Sequence, residues 1–187
     1  PMPSAVRTDS DSRPSILLVE DSQTAKTMLV MNLAEHYRLV EARDGEEAWQ
    51  LLATNEQIDL VITDINMPRM TGHELLVNIR KSLDARIANI PVIVMTTADG
   101  NRDKNLAFHN GANDFLTKPI DAGELQARVK VHYKLARTIR ELEESRRALA
   151  EQASTDPLTH LRNRRSFYEQ GSQHIASAKR YGGELSV

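Results

Sequence analysis

The chain has 187 residues, 40% of them apolar and 27% charged, which suits one full folded domain with chain to spare. Its 24 Lys and Arg against 26 Asp and Glu leave a formal net charge of -2, so no strong attraction to DNA or to an anionic membrane is expected. The absence of cysteine excludes a disulfide framework and thiolate chemistry, and with no apolar run long enough for a bilayer and no signal-peptide h-region before the first strand, the sequence reads as soluble and cytoplasmic.

Residues 1–14, rich in Ser, Asp, Pro and Arg, read as a disordered tail. Strands and helices then alternate. Ile16-Leu17-Leu18-Val19 is an apolar run ending in the acids Glu20 and Asp21. Ser22 can cap a helix reaching about Glu35, whose apolar positions Ala25, Met28, Leu29 and Leu33 keep helical spacing. Arg38 to Ala42 is a second strand, and Asp44-Gly45 turns the chain into a helix carrying Ala48, Trp49, Leu51 and Leu52. Ile58 to Thr63 is a third strand, Pro68 to Gly72 a loop, and Leu75, Leu76 and Ile79 mark the next helix. Pro91 opens the strand Val92 to Met95. A helix around Leu106 to Asn110 stops at Gly111, suited to the C′ position, and Asp114 to Thr117 is the last strand. Helix resumes after Asp121.

Continuously apolar strands alternating with helices predict an α/β fold, a parallel sheet covered on both faces. In such sheets the site lies at the carboxyl ends of the strands. The residues there are Glu20 and Asp21 after strand one, Asp64 after strand three, Thr96 after strand four and Lys118 after strand five. Three carboxylates in one cleft repel each other, and Mg²⁺ is the hard cation that resolves this. Lys118 adds a compact positive charge for a phosphate oxygen and Thr96 a hydroxyl donor. The set suits a carboxylate that becomes phosphorylated. Taken singly, Asp64 would read as a helix cap, Lys118 as a solvated surface lysine and Thr96 as an ordinary strand residue. Their arrangement at successive strand ends is what argues chemistry. Asp44 and Asp59 read as turn and strand-end residues, and the histidines, among them His36, His109 and His132, have no metal-ligand grouping.

The stretches "ILLVEDS", "DLVITDINMPRMTGHELL", "IPVIVMTTADG" and "GANDFLTKPI" resemble the response-regulator receiver family over about residues 15–136. The resemblance implies a flavodoxin-like, doubly wound five-stranded parallel sheet in the order 2-1-3-4-5. It implies that Asp64 is the phospho-acceptor, charged by a sensor histidine kinase or phosphotransfer protein. Glu20 and Asp21 help hold Mg²⁺, with Asp21 the direct ligand of the two, and Asn66 lends its backbone carbonyl. Thr96, favoured over the adjacent Thr97 by its spacing from Pro91 and Gly111, contacts phosphoryl oxygens together with Lys118. Phe115 stands where the family keeps an aromatic that swings inward, although a plain core role fits the residue equally well. Lys118-Pro119 matches a peptide bond that is usually cis there. The acid pair is Glu-Asp where many relatives have Asp-Asp.

From Ala122 the helical pattern runs to about Ser154, past ordinary globular length. A heptad fits its later part, with Leu135, Leu142 and Leu149 at d and His132, Ile139, Arg146 and Ala153 at a, which predicts a coiled-coil linker over 137–153 and a homodimer. Glu143 and Arg147 form a favourable i,i+4 pair. Asp156-Pro157 ends the helix. Residues 154–187, with Asp156, Leu158, Thr159, Asn163, Arg164, Arg165 and Phe167, resemble the opening of a GGDEF-type diguanylate cyclase domain, except for His160 where a glycine is usual. That resemblance implies a cyclic di-GMP output whose catalytic motifs are missing here. Two further readings differ in class. One is a non-enzymatic dimerising or partner-docking module. The other is a hydrolase of similar topology, disfavoured because Asn66 cannot serve as an acid two residues beyond the nucleophile. A DNA-binding output is disfavoured because no basic recognition helix follows.

Overall fold

The structure, a computed structural model, describes residues 13–55, 57–97 and 101–154, with backbone alone at 101–103 and 150–154. Its elements are β1 (Ser15–Val19), α1 (Gln23–Leu33), β2 (Arg38–Ala42), α2 (Gly45–Thr54), β3 (Leu60–Asp64), α3 (Gly72–Arg80), α4 (Ala85–Ala88), β4 (Val92–Thr97), α5 (Asn101–His109), β5 (Asp114–Lys118) and α6 (Ala122–Ser154). All neighbouring strands are parallel and the order is β2-β1-β3-β4-β5, the flavodoxin-like arrangement.

The strand order follows from burial. β1 and β3 are buried along their whole length, and β4 is buried except at Thr97, which suits central positions covered on both faces. β2 and β5 carry charged residues and stand at the edges. Successive side chains alternate between two cores. Leu17, Val19, Val61, Val92 and Val94 pack with Ala48 and Leu52 of α2 and with Leu75, Leu76 and Ile79 of α3. Ile16, Leu18, Leu60, Ile62, Ile93 and Met95 pack with Leu29 and Leu33 of α1 and with Leu125 and Val129 of α6. Each fully buried leucine or valine is worth about 2 kcal/mol, so the first turns of α6 are anchored to the sheet.

Several helices begin on capping side chains, of which Ser22 was expected. Ser22 accepts from the Ala25 N–H, and Asp44 from the N–H groups of Glu46 and Glu47. Thr71 and Glu74 form a reciprocal capping box. Asp121 accepts from the Glu124 N–H at 2.8 Å.

Several expectations are corrected. Ile58 is buried but lies before the ladder, so β3 begins at Leu60. The short helix α4 was not expected. Asp84 caps it, and Arg86 ties it to the carbonyls of Leu52 and Asn55. Arg13 and Pro14, read as part of a tail, are held: Arg13 donates to the Ala34 carbonyl at 2.7 Å and Pro14 accepts from the Arg38 N–H at 2.8 Å. The rest of that tail and the segment 155–187 lie outside the described residues. His132 cannot take a seam position, because its ring packs in the receiver 3.0 Å from the Asp114 carboxylate. Among the described residues, the exposed large apolar side chains of α6 are Val131, Leu135, Ile139, Leu142 and Leu149. By compactness the chain divides into Pro1–Arg137 and Thr138–Val187, and the sheet lies in the first unit.

Candidate functional site

The parallel register brings the ends of β1, β3, β4 and β5 to one edge of the sheet. Glu20 follows β1. Its N–H continues the ladder to the Ala42 carbonyl at 3.2 Å, and its side chain is 1% exposed. One carboxylate oxygen accepts from the Ser22 N–H at 3.1 Å and the other from the Lys118 ammonium at 2.8 Å. Asp64 ends β3 and is 7% exposed. Its Oδ1 accepts from the Ile65 N–H at 2.8 Å and its Oδ2 from Lys118 at 2.7 Å. Asp21 is exposed beside them, and one oxygen from each of Glu20, Asp21 and Asp64 lies within 4.8 Å of the others. Two such carboxylates repel by about 1 kcal/mol even at the dielectric of water, so an acid cluster of this density needs cations nearby.

Lys118 is the one cation bonded to that cluster among the described residues. Burial works against its charge, but hydrogen bonds to Asp64 and Glu20 and their negative fields outweigh burial and raise its pKa. The ammonium is therefore held charged between the two buried acids. The Lys118-Pro119 peptide that follows is cis.

The loop after Asp64 is shaped by backbone contact. A Cβ at Gly72 would lie 2.1 Å from the Asp64 carbonyl oxygen, so only glycine admits this approach, and its N–H donates to the Ile65 carbonyl at 3.0 Å. Gly45 does the same at the other side of the loop, donating to the Met70 carbonyl at 3.1 Å. Arg69, in the left-handed region at φ 60°, pairs with the fully buried Asp44. Asp44 is thus the cap of α2 and the anchor of this loop. Asn66 is exposed on it.

Thr96 is 2% exposed at the end of β4, and its hydroxyl makes a long contact of 3.5 Å to the Thr97 carbonyl. Thr97 is exposed and pairs in register with Lys118. Phe115 is half-buried, not core. Its ring meets Phe108 edge-on at 5.5 Å, with the Lys104 ammonium 4.8 Å and the Arg128 guanidinium 5.8 Å from its centroid. Glu20, Asp64 and Lys118 are therefore in direct contact and Asp21 is adjacent, while Thr96 and Phe115 lie on neighbouring strands without a bond to the acids.

Two further clusters lie toward the starts of β4 and β5, at the opposite edge of the sheet. Arg128 donates to both oxygens of Asp114 at 2.7 Å and to Glu124 at 2.6 Å, and His132 contacts the same Asp114. Their signal was the four-residue spacing of Glu124, Arg128 and His132 along one helix face. Arg80 donates to the carbonyls of Ala88, Ile90 and Gly111 and to the Asn113 side chain, tying α3 to the starts of β4 and β5.

A doubly wound parallel sheet with an acid cluster and a lysine at its carboxyl edge defines the class: a flavodoxin-like α/β receiver. Residues 16–130 match the response regulator receiver domain, and the chain belongs to that family. It is 37% identical over 121 residues to a probable cyclic di-GMP phosphodiesterase of Vibrio cholerae, covering 65% of this chain but only 27% of that protein. It is 33% identical to a chemotaxis protein CheY homolog of Campylobacter jejuni, covering 62% of this chain and 88% of the other. Among solved structures, a putative response regulator from Chloroflexus aurantiacus superposes with a TM-score of 0.62 at 31% identity, over 65% of this chain and 98% of that one. The receiver domain of an HD domain-containing protein from Pseudomonas fluorescens gives 0.63 at 30% identity, over 70% and 94%.

Proposed function

We propose that Asp64 accepts a phosphoryl group from a sensor histidine kinase or phosphotransfer protein in a Mg²⁺-dependent reaction. The observation that carries this reading is Lys118 bonded to Asp64 Oδ2 at 2.7 Å inside a cluster of three carboxylates. Three formal negative charges against one ammonium leave an excess that a divalent cation fits. Asp21, Asp64 and the Asn66 carbonyl would hold it, with Glu20 close by. When bound, the cation neutralises charge on the transferring phosphoryl oxygens.

The chain's own groups account for the rest. The Ile65 N–H holds Asp64 Oδ1, so Oδ2 faces the cleft and supplies the electron pair that bonds phosphorus. The P–N bond of a phosphohistidine donor breaks, and its electron pair stays on the imidazole nitrogen. Lys118 moves from Oδ2 to a phosphoryl oxygen, and the buried Thr96 hydroxyl donates to another. Positioning and charge carry most of the effect in such transfers.

Engaging Thr96 shifts a two-state equilibrium that includes the half-buried Phe115. The consequence is homodimerisation through the apolar stripe Leu135, Ile139, Leu142 and Leu149 of α6, and regulation of a C-terminal output in the cytoplasm. The sequence 154–187 favours a diguanylate cyclase as that output. The Vibrio relative's name also concerns cyclic di-GMP, though with the opposite chemistry. Among the described residues, no helix is long and apolar enough to cross a membrane.

The test is incubation of the protein with Mg²⁺ and acetyl phosphate, read by intact mass and by sedimentation. Wild type gains the mass of one phosphoryl group and sediments as a dimer. Asp64→Asn does neither. Equal labelling of the two proteins refutes the assignment, and a dimer indifferent to phosphodonor favours the docking-module reading.

A further inference from the structure

In its later part α6 turns a narrow apolar stripe to solvent. Ile139, Leu142 and Leu149 are exposed at a and d positions of the heptad, and the a position between the two leucines is Arg146, also exposed. Most of the charge here, Arg140, Glu141, Glu144 and Arg147, stands at b, c and f, away from the seam. The flanking g positions are the uncharged Thr138 and Ser145, and Glu143 stands at e. A parallel pairing with a second copy therefore sets each apolar residue against its own twin and meets no like charge between the e and g rims.

Arg146 breaks that pattern. In the parallel, in-register pair its hole is built by Leu142, Ser145, Arg146 and Leu149 of the second copy, none of them an acid. Both guanidiniums stay charged, because arginine does not give up its proton in a protein. They face each other across helix axes about 8–10 Å apart. That is within the Debye length of about 10 Å at 0.1 M salt, so their repulsion is felt. The four seam positions from Ile139 to Leu149 cover barely two heptads. One charged layer in so short a seam decides whether the pair holds by itself.

We propose that Arg146 is a charge brake on the pairing of α6 with a second copy of this chain. It keeps the parallel coil too weak to form alone, so that pairing waits for a further contact between receivers. The inference rests on the reading that phosphorylation of Asp64 drives dimerisation. Paired receivers then supply the effective concentration that the seam lacks. Salt screens the two guanidiniums and should loosen the brake, a response that a mere packing gap would not show.

The experiment measures the dimer Kd of the full chain by sedimentation, at about 50 mM and about 500 mM NaCl, with and without Mg²⁺ and acetyl phosphate. Arg146→Leu should tighten the unphosphorylated dimer by about tenfold or more and lose most of the salt response. Arg146→Lys keeps the charge and should behave as wild type. Leucine, lysine and arginine have similar helix propensities, so the helix itself is not altered. The chain has no cysteine, so adding Leu149→Cys to Arg146→Leu reports direction: facing d positions of a parallel pair lie within disulfide reach and should crosslink on oxidation with copper phenanthroline. An unchanged Kd in Arg146→Leu, or an Arg146→Lys dimer as tight as the leucine variant, overturns the proposal. A dimer that does not crosslink overturns it too, because the arginines then do not face each other. If wild type takes no phosphoryl group, or pairs equally without it, the reading of Asp64 as the dimerisation switch falls, while the Kd ratio of the lysine and leucine variants still decides the role of Arg146.

Discussion

Asp21→Asn should make the cation-free protein no less stable than wild type and should remove its stabilisation by Mg²⁺. Asp21 lies within 4.8 Å of oxygens on Glu20 and Asp64, yet no hydrogen bond to Lys118 offsets it as it does theirs. At the dielectric of water each of those repulsions is about 0.9 kcal/mol, so the two sum to about 1.7 kcal/mol. This screened limit is the right one for an exposed carboxylate. Attraction to the nearby Lys118 cancels about one pair, and the favourable placement of an acid before the N-terminus of α1 is worth about 0.5 kcal/mol. The net gain in the variant is therefore small, under about 1 kcal/mol, or up to about 4 °C in Tm for a domain of this size. Mg²⁺ at about 100 times its Kd should stabilise wild type by about 2.7 kcal/mol and leave the variant nearly unmoved. The assay is thermal unfolding in EDTA and across a Mg²⁺ series. A variant that loses more than about 1 kcal/mol in EDTA, or that rises with Mg²⁺ as wild type does, refutes the reasoning.

Gly72→Ala should be severe, because its methyl would overlap the Asp64 carbonyl oxygen at 2.1 Å. A loss of about 3 kcal/mol in urea unfolding is expected, together with loss of phosphodonor labelling as the loop is displaced. Asp114 carries a signed pH dependence. Burial raises its pKa, but hydrogen bonds from Arg128, His132 and the Phe115 N–H, with the Arg128 charge, bring it below the ordinary carboxylate range. Its contribution is therefore complete above the unfolded value of about 3.9 and is lost as pH falls through the lower folded value. Urea unfolding from about pH 5 down to about pH 3 should show Asp114→Asn less stable than wild type at the upper end, with the margin closing as pH falls below about 4. A margin that stays constant or grows across that range contradicts the reading.

How far the sequence reaches depends on the range of the interaction concerned. Strands β1 and β3 were readable because burial on both faces demands continuous apolar runs, and that demand is written locally. The helix start at Ser22 was readable because a cap is satisfied within three residues, whereas Asp44, read as a turn residue, and Thr71, inside the expected loop, proved to be caps only in the structure. The acids and the lysine at the strand ends followed from the topology those elements imply. Helix α4 was missed because a four-residue helix has no periodicity to display, and its stability comes from Arg86 reaching the end of α2.

What the tertiary structure alone decided is pairing at long range. Lys118 and Glu20 are 98 residues apart, and nothing in either segment says that one amine serves two carboxylates. Asp114 and His132 likewise meet only because α6 folds back over β5, which takes His132 away from the seam that the heptad assigned it. Composition and spacing determine which groups reach the carboxyl edge of the sheet. Side-chain length acting across the strand spacing determines which of them touch, and that distance exists only after the sheet has assembled.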